Sequence, residues 1–244
     1  MKKFNIHPSF VILIVLSFLL GLIKDMILIL ICFLIHELGH LLFILLFKYK
    51  VNKFSLYPYG GVLFYSEKND FLYKEFLISF GGILMNFMFY LLFSLLKIYS
   101  LAVLNLYFII LNILPIIPFD GGKLLFLTLS VFLPSKLSKI IAYSFSLLSL
   151  LLIIVFIRFD GYFYYFIVAL ILKENILGLI YLNKSYHKFT LMKYLYPNLK
   201  LKEKQTKRWV NNPIENLFKG RNMIFDYETF KVKEGEVLNK FYKK

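Results

Sequence analysis

The run MILILICFLIHELGHLLFILLF, residues 26–47, decides the fold. At about 1.5 Å per helical residue it reaches about 33 Å, enough to cross a hydrocarbon core of roughly 30 Å. The only ionisable groups inside it, apart from Cys32, are His36, Glu37 and His40. On a helix, positions i and i+4 share a face, so His36 and His40 can converge on one metal ion. Glu37 falls beside the metal rather than on it, where a carboxylate serves as general base. A charged Glu at the centre of a bilayer costs about 2.5 kcal/mol or more. A structural triad without a metal is therefore hard to rationalise, and polar groups at this depth mark a site.

Working outward, further apolar runs cover residues 9–23, 76–96, 98–117 and 140–157, and another starts near Tyr162 and is interrupted by Lys173 and Glu174. The sequence predicts an all-α polytopic membrane protein with six spans. Composition agrees. Of the 244 residues 59% are hydrophobic and 18% charged, and the mean hydropathy is +0.71. A soluble globule of this size could not hide so much apolar surface. Disordered and collagen-like chains are excluded, and the single Cys32 excludes an intrachain disulfide scaffold. No small-x-small cleavage site follows the first run, so it reads as a retained span rather than a signal peptide.

Lysine and arginine placement sets the orientation. With a cytoplasmic N-terminus, the inside segments before the tail carry Lys2, Lys3, Lys48, Lys50, Lys53, Lys68, Lys74, Lys123, Lys136 and Lys139; the outside loops carry Lys24, Lys97 and Arg158. Both termini are expected to be cytoplasmic. Residues 173–244 hold 16 of the 29 Lys/Arg but 7 of the 14 Asp/Glu. The chain thus reads as a membrane domain over 1–182 and a basic cytoplasmic tail over 183–244. No nucleic-acid motif accompanies the charge, and anionic headgroups explain it.

A third metal ligand is needed, because a catalytic zinc site keeps three protein ligands and one open position. Imidazole and carboxylate ligands suit zinc, one ion per chain. Asp25, Glu67, Asp70, Glu75 and Asp160 fall in loops or at their edges. Asp120 differs. It follows Asn112-Ile113-Leu114-Pro115-Ile116-Ile117-Pro118-Phe119, a stretch where prolines break the fourth span. Cys32 is a rival at i−4 from His36. It lies about 12 Å along the axis from His40, too far for both to share one ion on a straight helix. His7 reads as interfacial packing and His187 as solvated.

Substrate-binding candidates are less sharply defined. Asn86 is either an interhelical hydrogen-bonding residue or a donor to a substrate carbonyl. Asn112 either binds substrate backbone or holds the broken helix end. Residues 54–64, with Pro58, Tyr59, Gly60 and Gly61, predict a short hairpin or re-entrant strip at membrane depth. Its edge could take an extended substrate by strand addition.

These residues together resemble the site-2 protease family of intramembrane zinc metalloproteases. The shared pieces are His36-Glu37-x-x-His40 in one span and Asn112-x-x-Pro115 leading to Asp120-Gly121 in a later one. The resemblance implies His36, His40 and Asp120 as zinc ligands, Glu37 as general base, and a core element at Gly82 and Asn86. Ile83 stands where the family commonly has proline. Asn5-Ile6-His7-Pro8, Pro58-Tyr59-Gly60-Gly61 and residues 114–126 are closest to the branch that acts in endospore formation. That branch implies a membrane-associated sigma-factor precursor, pro-sigma-K, as substrate. It also implies inhibitory membrane partners and residence in the mother-cell membrane around the forespore. Family members end in a nucleotide-sensing CBS domain. Residues 183–244 are too few for a paired module, and 220–241 would be a reduced half. Homo-oligomerisation is left open. The alternatives are an intramembrane metal-ion transporter and a catalytically silent regulatory protein. A transporter predicts a second polar span and an inverted repeat, and neither is evident.

Overall fold

The computed structural model describes residues 4–6, 8–57, 60–65, 71–156, 162–198, 200–205, 213–227 and 230–242. In chain order the elements are β1 (Phe4–Ile6), α1 (Pro8–Leu19), α2 (Ile23–Leu46), β2 (Val51–Tyr57), β3 (Gly60–Tyr65), α3 (Leu72–Leu95), α4 (Tyr99–Ile113), α5 (Asp120–Phe132), α6 (Ser135–Phe156), α7 (Tyr162–Ile180), α8 (Leu182–Leu195), β4 (Glu203–Gln205), β5 (Asn222–Tyr227), β6 (Phe230–Lys233) and α9 (Glu234–Tyr242). The chain divides into two compact units: residues 1–67 with 76–114, and residues 68–75 with 115–244.

In the first unit, α2 shows two faces. Ile27, Ile31, Leu34, Leu38, Leu42 and Leu45 are exposed, at spacings of three and four, while Phe33, His36, Glu37 and Gly39 are buried. An apolar stripe turned outward is the pattern of a helix solvated by lipid. Helices α2, α3 and α6 are long and apolar enough to cross a membrane; α1 and α4 are shorter apolar helices. Helices α2 and α3 touch backbone to backbone. A Cβ on Gly81 would stand 2.6 Å from the Gly39 carbonyl oxygen, and one on Gly39 would strike the Gly81 carbonyl. Small residues let membrane helices approach this closely. Helix α3 continues unbroken through Ile83, buried at the family's proline position.

The all-α expectation needs correcting, because the chain also forms two three-stranded sheets, ordered β1-β2-β3 and β4-β5-β6. The hairpin expected at 54–64 is present: β2 and β3 pair antiparallel, with Phe54 opposite Leu63 and Leu56 opposite Gly61. The third strand was not legible. Strand β1 pairs parallel with β2, Phe4 opposite Phe54, and three residues are too few to show a period of two. Strand β2 is thus central and β3 an outer strand. Pro58 and Tyr59 lie outside the described residues.

In the second unit α5 packs on α6, and α6 on α7. The expected tail is folded. Strands β4 and β5 pair parallel and β5 and β6 antiparallel. Leu217, Phe218, Met223, Phe225 and Leu238 form a core there, with Phe189 and Tyr194 of α8 against it. Met223 and Phe225 alternate inward along β5, the period-2 signal of a strand with one face buried. Lys193 sends its ammonium to both oxygens of Glu234, at 2.7 and 2.8 Å, and to the Arg221 carbonyl at 2.7 Å. Glu234 also accepts the Met223 N–H at 2.9 Å. Burial pulls the Lys193 amine below its usual value, and Glu234 opposes that shift.

Candidate metal site

His36, Glu37 and His40 lie within five residues of α2, on the side that the exposed stripe leaves inward. Their candidate ligand atoms all lie within 4.8 Å of one another, the arrangement of a metal-holding group. The two imidazoles meet edge to face, with Nε2 atoms 3.1 Å apart. The Nδ1 atoms point elsewhere. His40 Nδ1 lies 2.7 Å from the Ile78 carbonyl, and His36 Nδ1 2.7 Å from Asn86 Oδ1. A carbonyl accepts and cannot donate, so His40 Nδ1 carries the hydrogen and its Nε2 is a bare lone pair when the ring is neutral.

That geometry tests the site for a cation. With Asn86 Oδ1 accepting from His36 Nδ1–H, His36 holds the same tautomer as His40, and two lone pairs facing each other at 3.1 Å repel unless a positive centre lies between or beside them. A tetrahedral ion with metal–nitrogen bonds of about 2.0–2.1 Å holds two ligand nitrogens about 3.3 Å apart. The orienting hydrogen bonds at Nδ1 are those that ligating histidines ordinarily make. The residues present fit a metal.

Two glycines shape the surroundings. A Cβ on Gly82 would stand 2.5 Å from His36 Cε1 and 2.7 Å from Nε2 of both histidines, so α3 can carry no side chain there. A Cβ on Gly61 of β3 would stand 2.7 Å from Glu37 Cδ and 2.8 Å from Oε1. The Glu37 carboxylate therefore lies against the backbone of an outer strand. The expected candidates Glu37 and Gly61 are brought together, and Gly60 precedes Gly61 in the same strand, opposite Tyr57. Tyr59 falls outside the described residues.

Asn86 is fully buried in α3. Its Nδ2 donates to the Cys32 carbonyl at 3.3 Å and to Asn105 Oδ1 at 2.8 Å, and its Oδ1 faces His36. Both amide hydrogens are therefore used inside the unit. Asn112, in the last turn of α4, donates to the Phe108 carbonyl one turn back, at 3.0 Å. Cys32 is wholly buried, and its sulfur accepts from Asn105 Nδ2 at 3.2 Å.

Asp120 belongs to the second unit, half-buried in the first turn of α5. The chain before it is irregular: α4 ends at Ile113 and the Ile117–Pro118 peptide is cis. The irregular backbone is clamped from two helices. The Ile117 N–H donates to Ser146 Oγ of α6 at 2.8 Å, and the Ile117 carbonyl accepts from Asn175 Nδ2 of α7 at 2.5 Å. Ser146 and Asn175 are completely buried. Unpaired backbone groups are costly away from water, which explains polar side chains at these positions. Sequence reasoning missed Asn105, Ser146 and Asn175, although a polar residue within an apolar helix is itself a signal.

The comparisons with known proteins agree with this geometry. The model of Peptidase family M50 matches residues 25–101 and 95–156, and the chain belongs to that family. It is 35% identical over 147 residues to Stage IV sporulation protein FB of Bacillus subtilis (strain 168), covering 54% of this chain and 49% of that protein. The chain thus spans about half the length of this curated relative. Among solved structures it is similar to the Site-2 Protease from Methanocaldococcus jannaschii, with a TM-score of 0.54 and 25% identity over 63% of this chain and 81% of that one.

Proposed function

We propose that the chain is an intramembrane zinc metalloendopeptidase that hydrolyses a peptide bond in or near the membrane. The observation that carries this is the pair of Nε2 atoms 3.1 Å apart with both Nδ1 atoms engaged elsewhere. Membership of a peptidase family supports it. On this reading His36, His40 and Asp120 would hold zinc. When bound, it polarises a carbonyl and lowers the pKa of water. Glu37 takes a proton from the attacking water and returns it to the leaving amine. Asn86 acts by orienting His36. The outer edge of β3, with Gly61 beside Glu37 and Gly60 next to it in the chain, takes the unwound substrate as an added strand. Asn112 contacts substrate backbone. Tyr59 is assigned to the same substrate-binding strip.

The substrate is a sporulation sigma-factor precursor, pro-sigma-K, and the sporulation relative supports that class. The remaining features of the proposal are six spans with both termini cytoplasmic, residence in the mother-cell membrane around the forespore, control by inhibitory membrane partners, and a boundary near 182. Residues 183–244, with β4–β6 and α9, form the cytoplasmic part, including a reduced CBS-like segment. Co-expression with pro-sigma-K in a heterologous bacterium tests the proposal. A shortened product with the native chain and none with Glu37→Gln is expected. Product from both forms would overturn the assignment of Glu37, and product from neither the choice of substrate.

A further inference from the structure

We propose that Asn105 is a positioning residue for the metal site: a relay of hydrogen bonds running from the Leu101 carbonyl through two buried amides holds His36 in the tautomer that presents a bare Nε2. This inference rests on the metal-site reading above and adds a residue that does not touch the site.

The relay has a direction because its first member can only accept. The Leu101 carbonyl oxygen lies 2.8 Å from one amide atom of Asn105, so that atom is the nitrogen. Its other hydrogen points to Cys32 Sγ at 3.2 Å. The Asn105 oxygen then faces Asn86 at 2.8 Å, and an oxygen there requires a donor, so Asn86 turns its nitrogen toward it. The Cys32 carbonyl, 3.3 Å from the same nitrogen, makes the same demand. Asn86 is left presenting its oxygen to His36 Nδ1 at 2.7 Å. Nδ1 must carry the hydrogen, and Nε2 is left bare toward His40. Three helices contribute: α4 supplies Asn105, α3 Asn86, and α2 both Cys32 and His36. Cys32, Asn86 and Asn105 are all 0% exposed, so no water competes to reverse either amide.

A bland alternative is that Asn105 only glues helices together. The two readings part at the isosteric acid. Asn105→Leu keeps the volume but removes the acceptor that orients Asn86. Asn105→Asp, with its carboxyl protonated, keeps an oxygen for Asn86 and an O–H for Leu101, and so keeps the direction of the relay. A gluing role predicts that a buried Asp does at least as much harm as Leu.

The test uses the full chain in detergent micelles, with zinc affinity read by chelator competition and histidine tautomers read from 15N spectra of the metal-free protein. His36→Ala assigns the His36 resonances. Expected are an Nδ1–H tautomer for His36 in the wild type and a mixture of tautomers with Asn105→Leu. Zinc affinity should fall about tenfold or more with Asn105→Leu and stay close to wild type with Asn105→Asp. Equal affinities for wild type and Asn105→Leu, or a loss with Asp as large as with Leu, would overturn the relay. An Nε2–H tautomer in the metal-free wild type would overturn it without any variant. Failure of the wild type to bind zinc would count against the metalloprotease reading instead, and the spectra alone would then decide the relay.

Discussion

The metal-site unit and the C-terminal end of the chain both bury polar side chains, and they do it in opposite ways. Around His36 the partners are neutral: two asparagines, a thiol and backbone carbonyls. Around Lys193 they are ionic, a lysine and a glutamate 2% and 6% exposed. A neutral amide has a donor end and an acceptor end, so a row of them transmits a direction. An ion pair transmits none; it supplies attraction that must offset two desolvations. The comparison teaches that buried polarity fixes a tautomer in one place and a fold in the other.

Four substitutions would sharpen or break that contrast. Glu37→Gln should lower peptide cleavage by on the order of 10³-fold, within the range for general acid–base groups, while metal content by elemental analysis stays unchanged. Loss of the metal as well would make Glu37 part of the holding group. Lys193→Met should destabilise the C-terminal sheet and α9 by about 3–5 kcal/mol, since it leaves Glu234 as an uncompensated buried charge. Hydrogen exchange of the β5 amides reads this, and zinc affinity should not move. An affinity change would show that the two buried networks are coupled. Gly82→Ala should cost about 1–3 kcal/mol as overpacking, and here the effect should appear as weaker zinc binding, because the new methyl meets both imidazoles. Unaltered binding with a lowered melting temperature would make Gly82 a packing residue alone. Ser146→Ala should be mildest, about 1 kcal/mol for the unsatisfied Ile117 N–H, read as faster exchange at that amide.

Much of this was legible in the sequence because its signals are local. His36, Glu37 and His40 sit four residues apart or less, and a helix puts them together whatever surrounds it. The hairpin announced itself through Pro58, Gly60 and Gly61. Strand β1 did not, because its hydrogen bonds lie about fifty residues away in β2. Asn105 stood out as a polar residue in an apolar helix, but its role did not, because that role exists only across three helices and its own helix gives no hint of which neighbour it faces. The C-terminal sheet was readable in principle from Met223 and Phe225, but the surrounding lysines masked a core that Leu217 and Leu238 complete from either side of that strand.

The clamp on Ile117 has a consequence for the helix break that it closes. With its N–H held by Ser146 and its carbonyl by Asn175, this bond of the broken segment is already spoken for on both sides. The break therefore leaves neither backbone polar group of Ile117 to seek water or another chain. The helix break gives the chain a bend without leaving Ile117 as a sticky edge.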